Sequence, residues 1–312
     1  MKKEYIFLSA IIAALCAYLF LHSSGERHYT LPEIETVNAS DIKRFEIGKK
    51  DGTVTIAKED GNWVVADKKF PADEKKVKKM AEAIEGLTVT ALVSEREDFK
   101  RYNLDEENRL RVLAASGSGK TTRIAVGKVA PTRNHTFVKL EGDDRIYHAA
   151  GNLERLFDRS VSEIRDKQVM KLDPAAITGV AIKKDGHEIK LEKAESKDGK
   201  TSSWESVQKR NIDEETVESL LSTLSDLSCS SYLEPENGPD KAKENALAAI
   251  ELTGEKSHRI ELFEKTGQGL YPGRSSQTQY PFLLKDFTAE NILSDTDAIL
   301  DIEQEESNEK DS

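Results

Sequence analysis

Two amphipathic segments of one pattern stand 140 residues apart in this chain, and they constrain its fold more than any other feature. In the first, Val77, Met80, Ala81, Ile84 and Leu87 recur at i, i+3, i+4, i+7 and i+10; in the second, Val217, Leu220, Leu221, Leu224 and Leu227 do the same. That spacing gathers the apolar side chains on one face of a helix, a face that must be buried. Each segment opens with an acidic pair, Asp73-Glu74 or Asp213-Glu214, which places negative charge at the end where the helix dipole favours it.

The surroundings repeat as well. Before each helix come two alternating segments, Ile42–Ile47 with Thr53–Ile56 and Ile177–Ile182 with Glu188–Leu191, then a tryptophan, Trp63 or Trp204. After each helix comes a hairpin pattern, Leu110–Ala115 with Thr122–Val126 and Leu247–Leu252 with Arg259–Phe263. Each copy closes on an aromatic strand and a short helix, the first at Ile146–Phe157 and the second at Tyr280–Leu293. Period-2 alternation around one amphipathic helix predicts an α+β unit whose mostly antiparallel sheet packs on that helix. The expected organisation is two tandem repeats at residues 34–171 and 172–295, with the charged stretch Asp158–Lys171 joining them and an acidic, disordered tail over 296–312.

Residues 5–21, YIFLSAIIAALCAYLFL, carry no charge. A helix of that length measures about 26 Å, the short end of what spans a bilayer. The segment is read as an uncleaved transmembrane signal anchor rather than a cleaved signal peptide. The sequence after it lacks small residues at a cleavage site, and Cys16 lies mid-segment, where no lipoprotein cysteine sits. Lys2 and Lys3 keep residues 1–4 in the cytoplasm. A connector at 22–33 then leads to an extracytoplasmic body, so the expected location is the bacterial inner membrane with the bulk periplasmic. Ser9, Ala13 and Ala17, spaced by four, mark a stripe where a second transmembrane helix would approach closely.

A net charge of −11 leaves no basic face for nucleic acid. Ala114–Thr122 imitates a phosphate-binding loop, but Ala114 stands where that motif has its first glycine, and Thr121–Gly127 alternates like a strand where a helix should begin. No nucleotide is expected. The histidines are scattered singly, and only His135 and His148 are placed to meet across a strand pair, so no metal or cofactor is expected either. Ser116 and Ser118 sit in a flexible turn without a motif partner, and Cys229 reads as a small buried residue. Trp63 and Trp204 read as packing residues. The turn Tyr271-Pro272-Gly273-Arg274 is the best candidate for a ligand or partner loop, because Pro and Gly should hold it off the sheet.

The order of these parts resembles a known family. The residues that carry the resemblance are GNWVV at 61–65, DFKRYNLD at 98–105, RIAVGK at 123–128, RIYHAAGNLERLF at 145–157 and SEIRDKQVMKLD at 162–173. The chain is similar to bacterial proteins of the domain of unknown function 4340 family. That resemblance implies an envelope accessory protein associated with ABC-type transport components, including gliding-motility auxiliary proteins, and it implies no catalytic residues. The expected function is therefore that of a membrane-anchored, extracytoplasmic, non-enzymatic binding protein partnered with the inner membrane and a transport complex. The alternatives are a small-ligand or glycan-binding protein with a cleft between the copies, and an envelope hydrolase.

Overall fold

A computed structural model of the chain describes residues 3–22, 29–65, 69–195, 202–208, 212–233 and 245–300. These are mostly β-sheet, and they divide into two units, Met1–Ile164 and Arg165–Ser312.

The first unit begins with helix α1 (Lys3–His22). Strands β1 (Ile42–Lys49), β2 (Gly52–Glu59), β3 (Asn62–Val65) and β4 (Phe70–Pro71) lead to helix α2 (Glu74–Glu85). Strands β5 (Val89–Ser94), β6 (Leu110–Ser116), β7 (Thr121–Val129), β8 (His135–Leu140) and β9 (Ile146–Ala150) follow, then helices α3 (Leu153–Phe157) and α4 (Val161–Ile164). The strands form one antiparallel sheet in the order β4-β3-β2-β1-β6-β7-β8-β9-β5. Val77, Met80, Ala81 and Ile84 of α2 are buried against Phe45, Ile47, Ile56, Val112 and Tyr147, which all point to one side of the sheet. The Asp73 side chain caps α2 by accepting from the Lys76 N–H at 3.1 Å.

The second unit starts with β10 (Gln168–Lys171), β11 (Gly179–Lys184), β12 (His187–Glu195) and β13 (Ser202–Ser206). Helix α5 (Glu214–Ser225) and the short strands β14 (Asp226–Ser228) and β15 (Ser231–Tyr232) come next. The unit ends with β16 (Ala248–Thr253), β17 (His258–Leu262), β18 (Leu270–Ser275), β19 (Thr278–Lys285) and helix α6 (Asp286–Leu300). Its large sheet runs β13-β12-β11-β16-β17-β18-β19-β15, the order of the first sheet without a counterpart of β4, while β10 pairs with β14 in a separate ribbon. Even a cross-strand pair recurs: Lys58 lies opposite Trp63 and Lys193 opposite Trp204, with the ammonium groups 6.0 and 5.7 Å from the ring centroids.

Several expectations are corrected. No helix among the described residues is long and apolar enough to cross a membrane. The uncharged run of α1, about 26 Å, falls short of a hydrocarbon layer of roughly 30 Å. The transmembrane anchor through residues 5–21, the single-pass inner-membrane location and the periplasmic placement derived from it fall with that finding. The α+β arrangement of one helix per sheet gives way to a mostly β chain with three sheets, whose second unit packs both α5 and α6. The stripe of α6 continues past Leu293 through Thr296, Ile299 and Leu300, all buried. Asp295 and Asp297 lend that stretch the look of a polar tail, yet each has a partner. Asp297 takes Lys184 Nζ at 2.5 Å and Asp295 takes Ser219 Oγ at 2.9 Å. Residues 301–312 of the expected tail lie outside the described residues. Within the stretch at 158–171 that joins the copies, Val169 and Met170 of β10 are buried in the second core.

Burying a Val or Leu side chain contributes about 1.5–3 kcal/mol, whereas an exposed ion pair contributes about 0–1 kcal/mol. The α5 stripe thus outweighs the surface charge in deciding this fold. Leu224→Ala is expected to lower stability by about 2–5 kcal/mol, and the exposed Lys79→Ala to change it by less than about 0.5 kcal/mol, as measured by urea denaturation.

Candidate functional site

The outward faces of the two large sheets carry the charge that the cores exclude. Along β7, Thr122, Ile124 and Val126 turn inward and are buried, which sends Arg123 and Ala125 outward. Ala125 lies opposite Arg111 on β6 and opposite Lys139 on β8, so these side chains share a face. With Arg109 at the entry to β6, four cations line a groove of about 500 Å³ centred on that alanine. Gly48 on β1 keeps the floor low, its missing side chain lying beside Arg111.

The loop Asp98–Asp105 lies over the same face. A short 3-10 turn at Phe99–Tyr102 ends on Asn103, whose φ of 55° turns the chain so that Leu104 is buried. Gly127 of β7 allows this approach, because a Cβ there would stand 2.2 Å from the Tyr102 carbonyl oxygen. Lys139 Nζ sits 4.7 Å from the centroid of the Phe99 ring.

Carboxylates reach the cations from the rim. Glu106 accepts from both Arg109 and Arg111, which hold its carboxyl below the usual range, the Arg111 hydrogen bond foremost. Arg123 pairs with Glu141 at 3.3 Å and Lys139 with Asp144 at 2.5 Å. The Nε of Arg109 is buried without a hydrogen-bond partner. The β8–β9 turn that bears Glu141 is locked by Asp143. Its carboxylate accepts from Arg145 Nη2 at 2.8 Å, from the Arg145 N–H at 2.9 Å and from the buried Tyr147 hydroxyl at 2.7 Å. The Arg145 side chain foremost, then its N–H and Tyr147, hold the Asp143 carboxyl well below the usual carboxylate range. Burial, reinforced by Asp143, pushes the Tyr147 phenol up to about 12.

The second unit repeats this surface with a difference. Ile124 faces Val112 and Ile260 faces Ile250, which makes Arg259 the counterpart of Arg123. Likewise Lys139 faces Ala125 and Arg274 faces Glu261. Arg274 is therefore the counterpart of Lys139, and Glu261 that of Ala125. Arg259, Glu261 and Arg274 line a groove of about 470 Å³. There Arg259 donates to Glu261 and to Glu251, each at 2.6 Å. Arg274 lies 5.9 Å from the Phe263 ring centroid, and its Nη1 is buried without a partner.

Of the residues singled out from sequence, Tyr271, Pro272, Gly273 and Arg274 form no loop; they lie within β18, between β17 and β19. Gly273 is there because a Cβ would stand 2.5 Å from the Phe282 ring, and the Pro272 carbonyl accepts from the Phe263 N–H at 2.9 Å. Tyr271 is buried, donates to Glu290, and has its phenol pushed up to about 12 by burial and then by that bond. Of the four, Arg274 lines a groove. Ala13 and Ala17 are exposed on α1, and the Ser9 side chain lies outside the described residues. His135 and His148 do meet, with ring centroids 5.5 Å apart. His148 also packs on Phe137, and burial foremost, then His135, lowers its pKa. Among the described residues no group of three or more His, Cys, Asp or Glu is placed to hold a metal ion. Ser116 and Ser118 share a 2.9 Å contact in the β6–β7 hairpin, whose second strand takes the place of a phosphate-loop helix. Arg109, Arg111, Arg123, Lys139 and Arg259 were not legible as a site. The one signal was the shared Arg-Ile opening of the outward positions in RIAVG and RIELF, visible once the copies are aligned strand by strand.

Because Asp143 has a folded pKa below its unfolded value near 3.9, its contribution is present above that value and is lost as pH falls through the folded one. Asp143→Asn is expected to destabilise the protein at pH 7 and progressively less below about pH 4, as followed by urea denaturation across pH. Burial raises the Cys229 thiol to about 11, so it should resist alkylation by iodoacetamide at pH 8 until denaturant is added, as read by mass spectrometry.

A family model described as a domain of unknown function (DUF4340) matches residues 63–249, more than half of the chain. The match includes the four cations of the first groove and ends before Arg259 and Arg274. No curated protein and no solved structure matches the chain.

Proposed function

The chain belongs to the family described as a domain of unknown function (DUF4340), and from that premise we propose that it is a non-enzymatic binding protein, an accessory subunit that presents its sheet faces to a partner. One observation carries the reading. The same outward pair of cations stands at matching register positions of both sheets, Arg123 with Lys139 and Arg259 with Arg274. A purely solvated face needs no such recurrence, and these cations project into open grooves rather than converging on an enclosed reaction centre. The association with ABC-type transport components that the family resemblance implies supplies the class of partner in this proposal.

Photo-crosslinking in the native cell tests it. A benzoylphenylalanine at Thr53 or Glu192 faces outward, and one at Lys79 marks the exposed side of α2. Adducts identified by mass spectrometry as components of a transport complex are expected from the sheet-face positions and not from Lys79. Adducts from Lys79 alone would overturn the reading.

A further inference from the structure

The two grooves differ at their centres, and the difference specifies a ligand. In the second unit the central position is Glu261. Its carboxylate takes two hydrogen bonds from Arg259, from Nε at 3.1 Å and Nη2 at 2.6 Å, and it lies opposite Arg274. The side chain is 21% exposed, so this carboxylate is seated in the groove rather than waving above it. In the first unit the counterpart of Glu261 is Ala125, a methyl group at the same point of the same sheet. The cations remain: Arg123 and Lys139 match Arg259 and Arg274, and Arg109 and Arg111 are added beside them. The second unit thus carries its own carboxylate where the first has a half-buried methyl group at the edge of the Leu104–Phe137–Ile146 cluster.

We propose that the first groove is a receptor for a carboxylate side chain of an acidic peptide segment in a partner protein, seated over Ala125 among Arg109, Arg111, Arg123 and Lys139. The assignment rests on reading the sheet faces as binding surfaces and gives that surface a ligand chemistry. Three observations favour an acidic segment. The lining holds four cations against Glu46 and Glu141, an excess that Glu106 and Asp144 offset only from the exposed rim. Arg111, whose side chain is 59% exposed in that lining, offers the planar donor fork that an incoming carboxylate takes. The Arg111–Glu106 and Arg123–Glu141 pairs are exposed on both sides, 59% with 68% and 44% with 65%, and ion pairs so exposed exchange partners at little cost. A peptide suits the groove better than a small free acid. The lining spans the five adjacent strands β2, β1, β6, β7 and β8, roughly 19 Å across at strand spacing, and lies open along the sheet. The Asp98–Asp105 loop packs over the sheet at Gly127, and its Phe99 ring stands beside Lys139.

The test uses the full chain and fluorescein-labelled hexaglutamate, followed by anisotropy at low ionic strength and again at about 0.15 M salt. Saturable binding at a single site is expected for the wild type. Ala125→Glu supplies to the first groove the carboxylate that the second already holds, and it should weaken binding by about tenfold or more. Arg111→Gln should weaken it in the same sense, and it guards against a folding defect in the first variant. Glu261→Ala should open the second groove and add a second equivalent of bound peptide. Wild-type binding that does not saturate, or Ala125→Glu binding as tightly as wild type, would overturn the proposal. Free glutarate competing as effectively as the peptide would overturn the peptide assignment. If hexaglutamate fails to bind while crosslinking through Thr53 persists, this inference falls and the binding-surface reading stands; if both fail, both fall.

Discussion

One-sided burial is the constraint on which the rest of this protein depends. An antiparallel strand whose residues alternate between apolar and polar has one face that must leave water and one that must stay in it. In each unit a helix stripe covers the dry face: Val77, Met80, Ala81 and Ile84 in the first, Val217, Leu220, Leu221 and Leu224 in the second. No helix among the described residues covers the opposite face; in the first unit the Asp98–Asp105 loop covers part of it over Phe137 and Ile146, and every candidate binding feature described above lies on the remainder. Had helices covered both faces, as they do in parallel sheets, Arg123 and Arg259 would be buried charges without a reason.

The two copies used that open face differently. Their strand order and core positions stay aligned, down to the Lys–Trp pair at the β2–β3 and β12–β13 crossings. The outward residues diverged. Where the first unit has Gly127 beneath a crossing loop, the second has the buried Phe263; where the first has Ala125, the second has Glu261. Core positions are held by packing, which penalises any change of volume, while outward positions answer only to solvent and partners. A duplicated sheet can therefore keep its architecture and assign separate tasks to its two faces.

The helical stripes, their acidic starts and the hairpins were legible from periodicity because burial imposes that periodicity directly. Three features misled. The uncharged run at Tyr5–Leu21 has the composition of a membrane span, but composition alone does not supply length. Asp295 and Asp297 made the end of α6 read as a polar tail, although Lys184 and Ser219 take up both carboxylates. Pro272 and Gly273 signalled a loop, yet the glycine is there to admit the Phe282 ring within the sheet.

By itself, then, the sequence determined that two similar sheet-and-helix units exist, which faces of α2 and α5 are dry, and that the chain after Lys120 runs on as a strand where a phosphate loop would open a helix. These follow from local pattern and charge, which act over a few residues. Only the tertiary structure decided which outward side chains stand together, because register between strands brings Arg111, Arg123 and Lys139 to one point from three separate segments. It alone decided that Glu261 fills in one sheet the place that Ala125 holds in the other. That comparison needs the two registers laid over one another, and no single stretch of chain carries it.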